Sequence, residues 1–559
     1  MNRKIGIYIC ECGPNIAEKI DIDEVIKAVA SLEDVVVDRY KLLCSEGGKK
    51  YLAEQIKKHG LTHLVIAACS PRDHQLTFME VCKNAGVNPY LFQLANIREQ
   101  CAWITENKEE ATKKAIRLTK AAVNRVRCHL PLEEKEIESN PDVLIVGGGI
   151  AGIEASLQLA NSDRKIYLIE KTSSLGGLIK NFEKTYPEMQ SCSKSIQQKI
   201  ETIKKTDNIT IFTDSEVEEI LGFFGNFEIK VKRNTTEKDI VSFGVGAVVF
   251  ATGSTLFNLD TTSQYGYRKF DNVLTALEFE QMNLSGKIVL KNKKIPSSAA
   301  IIHCVGRNEK GYCSEICCMY SVKFVRYLKD KIPGIKVINF YSDLCIPGKS
   351  HQKFYEQTQG SDNKFIRAKN INVTKKGEQL NITYDDEHGK NNSIVDMVIL
   401  SSALEPTAET EKLAEFTNIS LGDGGFFAEE HEKLDPISTS TQGVFIAGCA
   451  QGPKSISDTI IQAEAVTGKI LSSLIPGKKI EPEVKVSSIS ESFCIGCKTC
   501  LDICSYGAII FNETKKISIV NEVICRGCGN CVAACPSGAI TLKHFTFNQI
   551  YQELKEAVQ

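Results

Sequence analysis

No stretch of this chain reaches the roughly 18 consecutive apolar residues that a membrane-crossing helix needs, so no span is expected. Nor is there a long basic run, and the formal net charge is only −1. That leaves no electrostatic footprint for nucleic acid or an anionic membrane, and it points to protein and small-molecule partners. The opening MNRKIGIYIC enters a strand at once, leaving no room for an apolar signal region, which makes a cytoplasmic protein the expectation. A second glycine fingerprint of the G-x-G-x-x-G type is missing beyond residue 299, which argues against a pyridine-nucleotide site there. Between residues 141 and 298 there is no C-x-x-C pair. The one thiol there is Cys192 in QSCSKS, which disfavours dithiol–disulfide exchange by a cysteine pair in that segment.

What the chain has in quantity is cysteine: 22 in 559 residues. In a reducing compartment these are poor candidates for disulfides, so metal ligation or redox chemistry is the better reading, and such clusters favour an anaerobic cell. The length exceeds one hydrophobic core and predicts about three or four domains. From Arg3 to about Arg127 apolar strands alternate with helical stretches, the last helix running from about Asn96, which is the rhythm of a parallel sheet with covering helices. The stretch from Pro131 to Pro141 reads as a linker. A second α/β unit opens with DVLIVGGGIAG, carries an antiparallel meander between about Ile209 and Val231, and restarts near Ala299. The expected domains are therefore an N-terminal α/β domain (1–130), a two-lobe α/β domain (141–474, second lobe about 299–400) and a C-terminal α+β domain (488–545).

Two runs near the C-terminus are the strongest signal. Cys494-x2-Cys497-x2-Cys500-x3-Cys504 and Cys525-x2-Cys528-x2-Cys531-x3-Cys535-Pro536 match the bacterial two-cluster ferredoxin pattern, in which each fourth cysteine ligates the other cluster. The assignment is crossed: Cys494, Cys497, Cys500 and Cys535 for one [4Fe-4S] cluster, and Cys525, Cys528, Cys531 and Cys504 for the other. A pair of zinc ribbons is the alternative, and it lacks the third-cysteine spacing.

Gly147-x-Gly149-x-x-Gly152 follows the strand DVLIV and precedes a helical run that starts at Ile150 and Ala151, with Glu170 ending the next strand and Lys171 after it. Glycines there permit a tight turn and close approach of a pyrophosphate to a helix N-terminus, while the acid accepts ribose hydroxyls. Gly176 and Gly177, and the Ala251-Thr252-Gly253 segment, extend the likeness to FAD-binding disulfide-reductase-like proteins, so residues 141–474 are expected to form a thioredoxin-reductase-like two-lobe FAD domain. Gly448 and Cys449, then Pro453, Lys454, Ser455 and Ile456, open the helix expected to face the flavin ring, where backbone amides favour negative charge. Cys449 reads as a small buried residue rather than a redox thiol.

In place of a nucleotide loop the second lobe carries Cys304, Cys313, Cys317 and Cys318, four cysteines within fifteen residues, for which a third [4Fe-4S] cluster is the expectation. Cys10, Cys12, Cys44 and Cys69 mark strand ends in the N-terminal domain and read either as core residues or as a ligand edge.

Taken with these motifs, the segments ICECGPNIA, AACSPRDHQLTF, NPYLFQLANIREQCAW, HCVGR…YCSEICCMYSVK and AGCAQGPKSISDTIIQA resemble the family of heterodisulfide reductase A-type subunits. The resemblance implies the flavin-bearing hub of a hetero-oligomeric complex. Electrons would come from a hydrogenase, formate dehydrogenase or NADH module through a small iron-sulfur subunit, and pass to ferredoxin and to B- and C-type subunits, in one version by electron bifurcation. It also implies that Cys304, Cys313, Cys317 and Cys318 ligate an unconventional cluster and that Lys323 lies beside flavin N5. The chain lacks the inserted ferredoxin domain of the longest family members. A non-bifurcating wiring scaffold and a stand-alone FAD-dependent disulfide or NAD(P)H oxidoreductase are the alternatives.

Overall fold

The computed structural model describes residues 3–234 and 239–558. It divides into two compact units, one of residues 1–136 together with 481–559 and the other of residues 137–480. The first two residues of the expected N-terminal domain lie outside the described residues.

The first unit begins with four parallel strands, β1 (Ile5–Cys10), β2 (Val35–Tyr40), β3 (His63–Ala68) and β4 (Phe92–Asn96), in the order β2-β1-β3-β4. Every residue of β1 and β3 is buried, as expected of central strands covered by helices on both faces. The last helix starts at Lys108 rather than near Asn96. Residues 92–96 are taken by β4, and the Asn107 side chain caps the helix by accepting the Glu110 N–H at 3.1 Å.

The second unit holds two lobes of like construction. The first contains β5 (Val143–Val146), β6 (Ile166–Ile169), β7 (Ile209–Phe212), an antiparallel meander of β8 (Ser215–Phe223), β9 (Asn226–Arg233) and β10 (Ile240–Val245), then β11 (Ala247–Phe250). The meander thus starts later and runs further than the expected Ile209 to Val231, because Ile209–Phe212 joins the parallel sheet instead. A two-residue strand β12 (Thr255–Leu256) leads to the second lobe: β13 (Val273–Thr275), β14 (Ser298–Val305), β15 (Lys336–Tyr341), β16 (Asn363–Arg367), a meander of β17 (Lys369–Lys376), β18 (Gln379–Asp386) and β19 (Gly389–Val395), and β20 (Met397–Ser402). The chain returns through β21 (Leu404–Glu405), paired with β12, and adds β22 (Val444–Ile446) to the first sheet. The two five-stranded sheets run β22-β11-β5-β6-β7 and β13-β20-β14-β15-β16, each with its three-stranded meander between the fifth and second strands of that order. Where the chain enters and leaves this unit, Ile137 and Ile480 exchange both backbone hydrogen bonds at 3.0 Å, so the expected linker is partly held in a bridge.

The C-terminal part of the first unit consists of two short hairpin-like pairs, β23 (Ser487–Ile489) with β26 (Ile540–Leu542), and β24 (Ile509–Asn512) with β25 (Ile517–Val520). It is followed by the helix Phe547–Ala557, which packs against the helix Lys108–Val126. Arg125 joins the two by an ion pair with Glu553 and by donating to the His544 carbonyl at 3.1 Å. Among the described residues no helix is long and apolar enough to cross a membrane.

Candidate functional site

The first lobe presents a glycine cradle at the C-terminal end of β5. A Cβ on Gly147, which has φ +113°, would lie 2.2 Å from the Ala251 carbonyl oxygen, and one on Gly152 would lie 1.9 Å from that of Gly147. No side chain fits at either place, so the turn into the helix Ile150–Leu159 is open to whatever approaches its amides. Gly176 donates its N–H to the Gly148 carbonyl at 2.8 Å, and Gly177 lies against Gly149, which brings the two glycine loops into contact.

Glu170, buried, accepts from the Gly148 N–H at 2.8 Å and from the N–H and hydroxyl of Thr172 at 2.8 and 2.7 Å. Lys171 is tied to Glu409 in an ion pair. Ala251 and Thr252 close the cradle from β11, and the Thr252 hydroxyl is buried with no hydrogen-bond partner. A cradle that a Cβ would fill, together with an orphaned hydroxyl at its edge, fits the dinucleotide and ribityl chain of FAD.

At the other side of the cradle, Gly448 (φ +69°) has Ala151 and Thr459 as neighbours and donates its N–H to Gln462 at 2.7 Å. The Cys449 thiol faces the Lys454 carbonyl at 3.6 Å and is pushed up by burial, as a core cysteine is. Burial also lowers the Lys454 ammonium. Ser455 caps the helix Ile456–Ser473 by accepting the Asp458 N–H at 3.1 Å, with Pro453 just before it.

In the second lobe the four expected cysteines come together at the C-terminal end of β14. Cys304, the penultimate residue of that strand, has φ +61°, Cys313 sits in the loop, and Cys317 and Cys318 open the helix Cys317–Lys331. The Cys304 and Cys318 thiols both face the Asp343 carbonyl, at 4.0 and 3.7 Å. Cys317 is raised, its thiol bonding to Cys318. Cys318 is lowered by that bond first, then, against burial, by His303 and the Cys345 amide. His303 is buried, with one ring nitrogen meeting Asn339 at 3.2 Å and the ring also bonding to Cys318. Several thiols with an imidazole bonded to one of them are a donor set suited to iron-sulfur ligation. Among the described residues no group of three or more His, Cys, Asp or Glu is arranged around a single ion; a cubane spreads its thiolates over four irons. His303 and Cys345 escaped the sequence reading. Cys345 lies more than twenty residues past the C-x3-C-C run, and only the pairing of β14 with β15 brings it near.

Lys323, two turns into the same helix, is buried at 3% exposure. Its ammonium pairs with Glu280 and donates to the Lys184 carbonyl at 3.1 Å, among the rings of Phe182, Phe324 and Tyr327. It is a neutralised cation rather than a free one. Cys192 stands next to it, raised first by burial. Tyr186, also raised by burial, lies within electrostatic reach of Cys317, Cys449 and Cys345.

The C-terminal domain brings its eight cysteines into two crossed sets. One recess is lined by Cys494, Cys497, Cys500 and Cys535, and Cys531 is within electrostatic reach of Cys525, Cys528 and Cys504. Gly496 and Gly527 take positive φ, with Cβ positions only 2.5 and 2.3 Å from the Lys516 and Lys485 carbonyls, so each Cys-x-x-Cys turn requires glycine. The Ala508 N–H points at the Cys504 sulfur at 3.3 Å, and that of Ser487 at Cys525 at 3.5 Å, the kind of donor that stabilises cluster thiolates. The N-terminal cysteines gather at one sheet edge: Cys10 lies near Cys12 and Cys44, and Cys69 near Cys44 and Arg98.

A 4Fe-4S dicluster domain family matches residues 493–545, and a pyridine nucleotide-disulphide oxidoreductase family matches residues 141–301. The A-type subunit of the H(2):CoB-CoM heterodisulfide,ferredoxin reductase of Methanothermobacter thermautotrophicus is 33% identical, over 91% of this chain and 91% of that protein. A protein of Archaeoglobus profundus, described as like the A-type subunit of heterodisulfide reductase, is 32% identical over 92% of each. Among solved structures, thioredoxin reductase from Lactococcus lactis aligns with 60% of this chain and 99% of its own at 16% identity, with a TM-score of 0.43.

Proposed function

The chain belongs to the family of heterodisulfide reductase A-type subunits, and from that premise we propose that it is the hub of a complex which divides electron pairs arriving from a donor subunit. It is a flavin- and iron-sulfur-dependent oxidoreductase subunit. In the finer reading, residues 141–474 hold FAD, residues 488–545 hold two [4Fe-4S] clusters in the crossed assignment, and Cys304, Cys313, Cys317 and Cys318 hold a third. Bound FAD supplies exchange between two-electron and one-electron chemistry, and each cluster supplies single-electron steps.

The protein's own residues do the positioning. Gly147, Gly149 and Gly152 leave room for the pyrophosphate, Glu170 orders the loop above it, and the start of the helix Ile456–Ser473 offers amides to the ring. Lys323, held by Glu280, sets the charge near that ring. The donor is a hydrogenase, formate dehydrogenase or NADH module working through a small iron-sulfur subunit, and the acceptors are ferredoxin and B- and C-type subunits; electron bifurcation is the fullest form of this reading.

One observation carries the proposal: at the end of β14, where a nucleotide loop would stand, there are converging thiols and no glycine fingerprint. That supports passage of electrons to clusters over exchange with NAD(P)H. Two measurements on anaerobically purified chain test it. Iron per flavin is expected at about twelve, three cubanes' worth, and about eight overturns the third cluster. The flavin is expected to stay oxidised with NADH until partner subunits are added, and rapid bleaching of the isolated chain overturns the hub in favour of a stand-alone enzyme.

A further inference from the structure

The two lobes share a layout. In the first, the loop after β5 makes the cradle, and the loop after its neighbour β6 reaches back over it through Glu170, which accepts from Gly148 at 2.8 Å. In the second, β14 takes the place of β5 and β15 that of β6. The loop after β15 runs Ser342-Asp343-Leu344-Cys345. It too reaches back: the Asp343 carbonyl faces the Cys304 and Cys318 thiols, and the Cys345 N–H donates to the Cys318 sulfur at 3.4 Å. The loop is anchored on both sides, since Asp343 pairs with Arg307 at 3.2 Å and with Arg367 at 2.8 Å. Its half-buried thiol lies within electrostatic reach of Cys313 and Cys318.

We propose that Cys345 is a fifth thiol of this site, a reserve ligand able to replace Cys313 or Cys318 on iron. The proposal rests on the reading of the group as a [4Fe-4S] site. A cubane has four irons, so five converging thiols leave one over. The exchange balances without electron transfer: one Fe–S(Cys) bond breaks, the departing thiolate takes up the proton that Cys345 gives up, and an Fe–S bond to Cys345 forms. Cys345 suits this role by position. Its own backbone already bonds to one of the sulfurs it would replace, and the ion pairs of Asp343 hold the loop while the exchange occurs.

The test uses the full chain, purified anaerobically, with iron and sulfide measured per bound FAD and the reduced clusters followed by electron paramagnetic resonance. Cys345→Ser alone is expected to keep about twelve irons, and at least one of Cys313→Ser and Cys318→Ser is expected to keep them with an altered cluster spectrum, whereas adding Cys345→Ser to that variant lowers the count to about eight. Three results overturn the proposal: both single variants already at about eight, Cys345→Ser alone at about eight, or a double variant as loaded as its parent. Normalising to FAD separates misfolding from cluster loss. A wild-type count of about eight would instead remove the third cluster itself, which is a different failure.

Discussion

The two lobes of the second unit are built alike and equipped differently. Each has five parallel strands and a three-stranded meander, and each places its chemistry at the C-terminal end of the middle strand, where open α/β sheets hold ligands. After β5 the chain spends three glycines, and after β14 it spends cysteines. The comparison teaches that the scaffold supplies a location, while the residues of one loop decide its chemistry: glycines leave room for a close approach to backbone amides, and cysteines supply thiols. A single methyl group should therefore break the first lobe and spare the second. Gly152→Ala puts a Cβ at 1.9 Å from the Gly147 carbonyl oxygen, a contact that only backbone movement could relieve. Flavin absorbance per chain is expected to fall by at least about tenfold. Iron bound to the C-terminal domain should stay unchanged.

The lobes meet through the helix Cys317–Lys331, which starts at the thiol group and, two turns on, delivers Lys323 to the segment around Lys184 of the first lobe. The Lys323–Glu280 pair is buried on both sides. Removing one partner strands the other charge away from water, so Lys323→Met is expected to destabilise the fold by about 3–5 kcal/mol, read as a lowered denaturation midpoint. Lys323→Met with Glu280→Leu should recover most of that. The flavin potential should move in the single variant by something on the order of tens of millivolts, and an unchanged redox titration would remove Lys323 from the flavin's surroundings.

How much of this could be read from the sequence depended on how local the signal was. The eight C-terminal cysteines and the glycine fingerprint lie in short contiguous runs, because one tight turn makes each of them, and spacing alone carried the information. The four cysteines from Cys304 to Cys318 were legible as a group for the same reason. Cys345, His303 and Glu280 were not: each reaches its neighbours through strand pairing or helix packing, which no local pattern encodes. The strand Phe92–Asn96 was not legible, and a helix was expected from about Asn96, because the strand's alternation is short and runs directly into a helical turn. The association of the N-terminal domain with the C-terminal one also had no local mark, since Arg125 and Glu553 are more than four hundred positions apart.

That association supplies a contrast with the lobes, because it is held by polar groups that titrate. His129 and His544 lie against each other with ring centroids 4.3 Å apart and planes tilted by 35°, and both are buried. Desolvation, then His544 and Arg125 beside it, holds His129 down at about 3, and His544 is lowered for the same first reason; Arg125 and Lys485 face both rings, with Glu553 paired to Arg125 and Glu483 within reach of Lys485, so burial is the main cause. The folded values lie below the unfolded ones, so between the ordinary histidine range and about pH 3 the unfolded state binds more protons. Stability is therefore full above about pH 6.5 and is lost progressively as the pH falls, by on the order of a few kcal/mol. Thermal denaturation at pH 7 and pH 5 is expected to show the first unit losing more than the second. Equal losses would mean that the histidine pair is not what responds.

The smallest effects should come from the two loops that reach back over their sites. Glu170 holds three charge-assisted bonds with Gly148 and Thr172. In Glu170→Gln the amide nitrogen replaces one acceptor with a donor facing a donor, which costs about 1.5–3 kcal/mol and should appear as roughly tenfold or greater weakening of FAD retention, with iron content unaffected. Asp343 is its positional counterpart, but its pairs with Arg307 and Arg367 are half exposed. Asp343→Asn should therefore cost under about 1 kcal/mol and leave both flavin and iron in place. The inequality is the informative part, because it follows from burial and not from charge. If Asp343→Asn stripped iron as fully as Glu170→Gln loosens FAD, the loop after β15 would have to be a structural clamp on the thiol group rather than an anchored strap beside it.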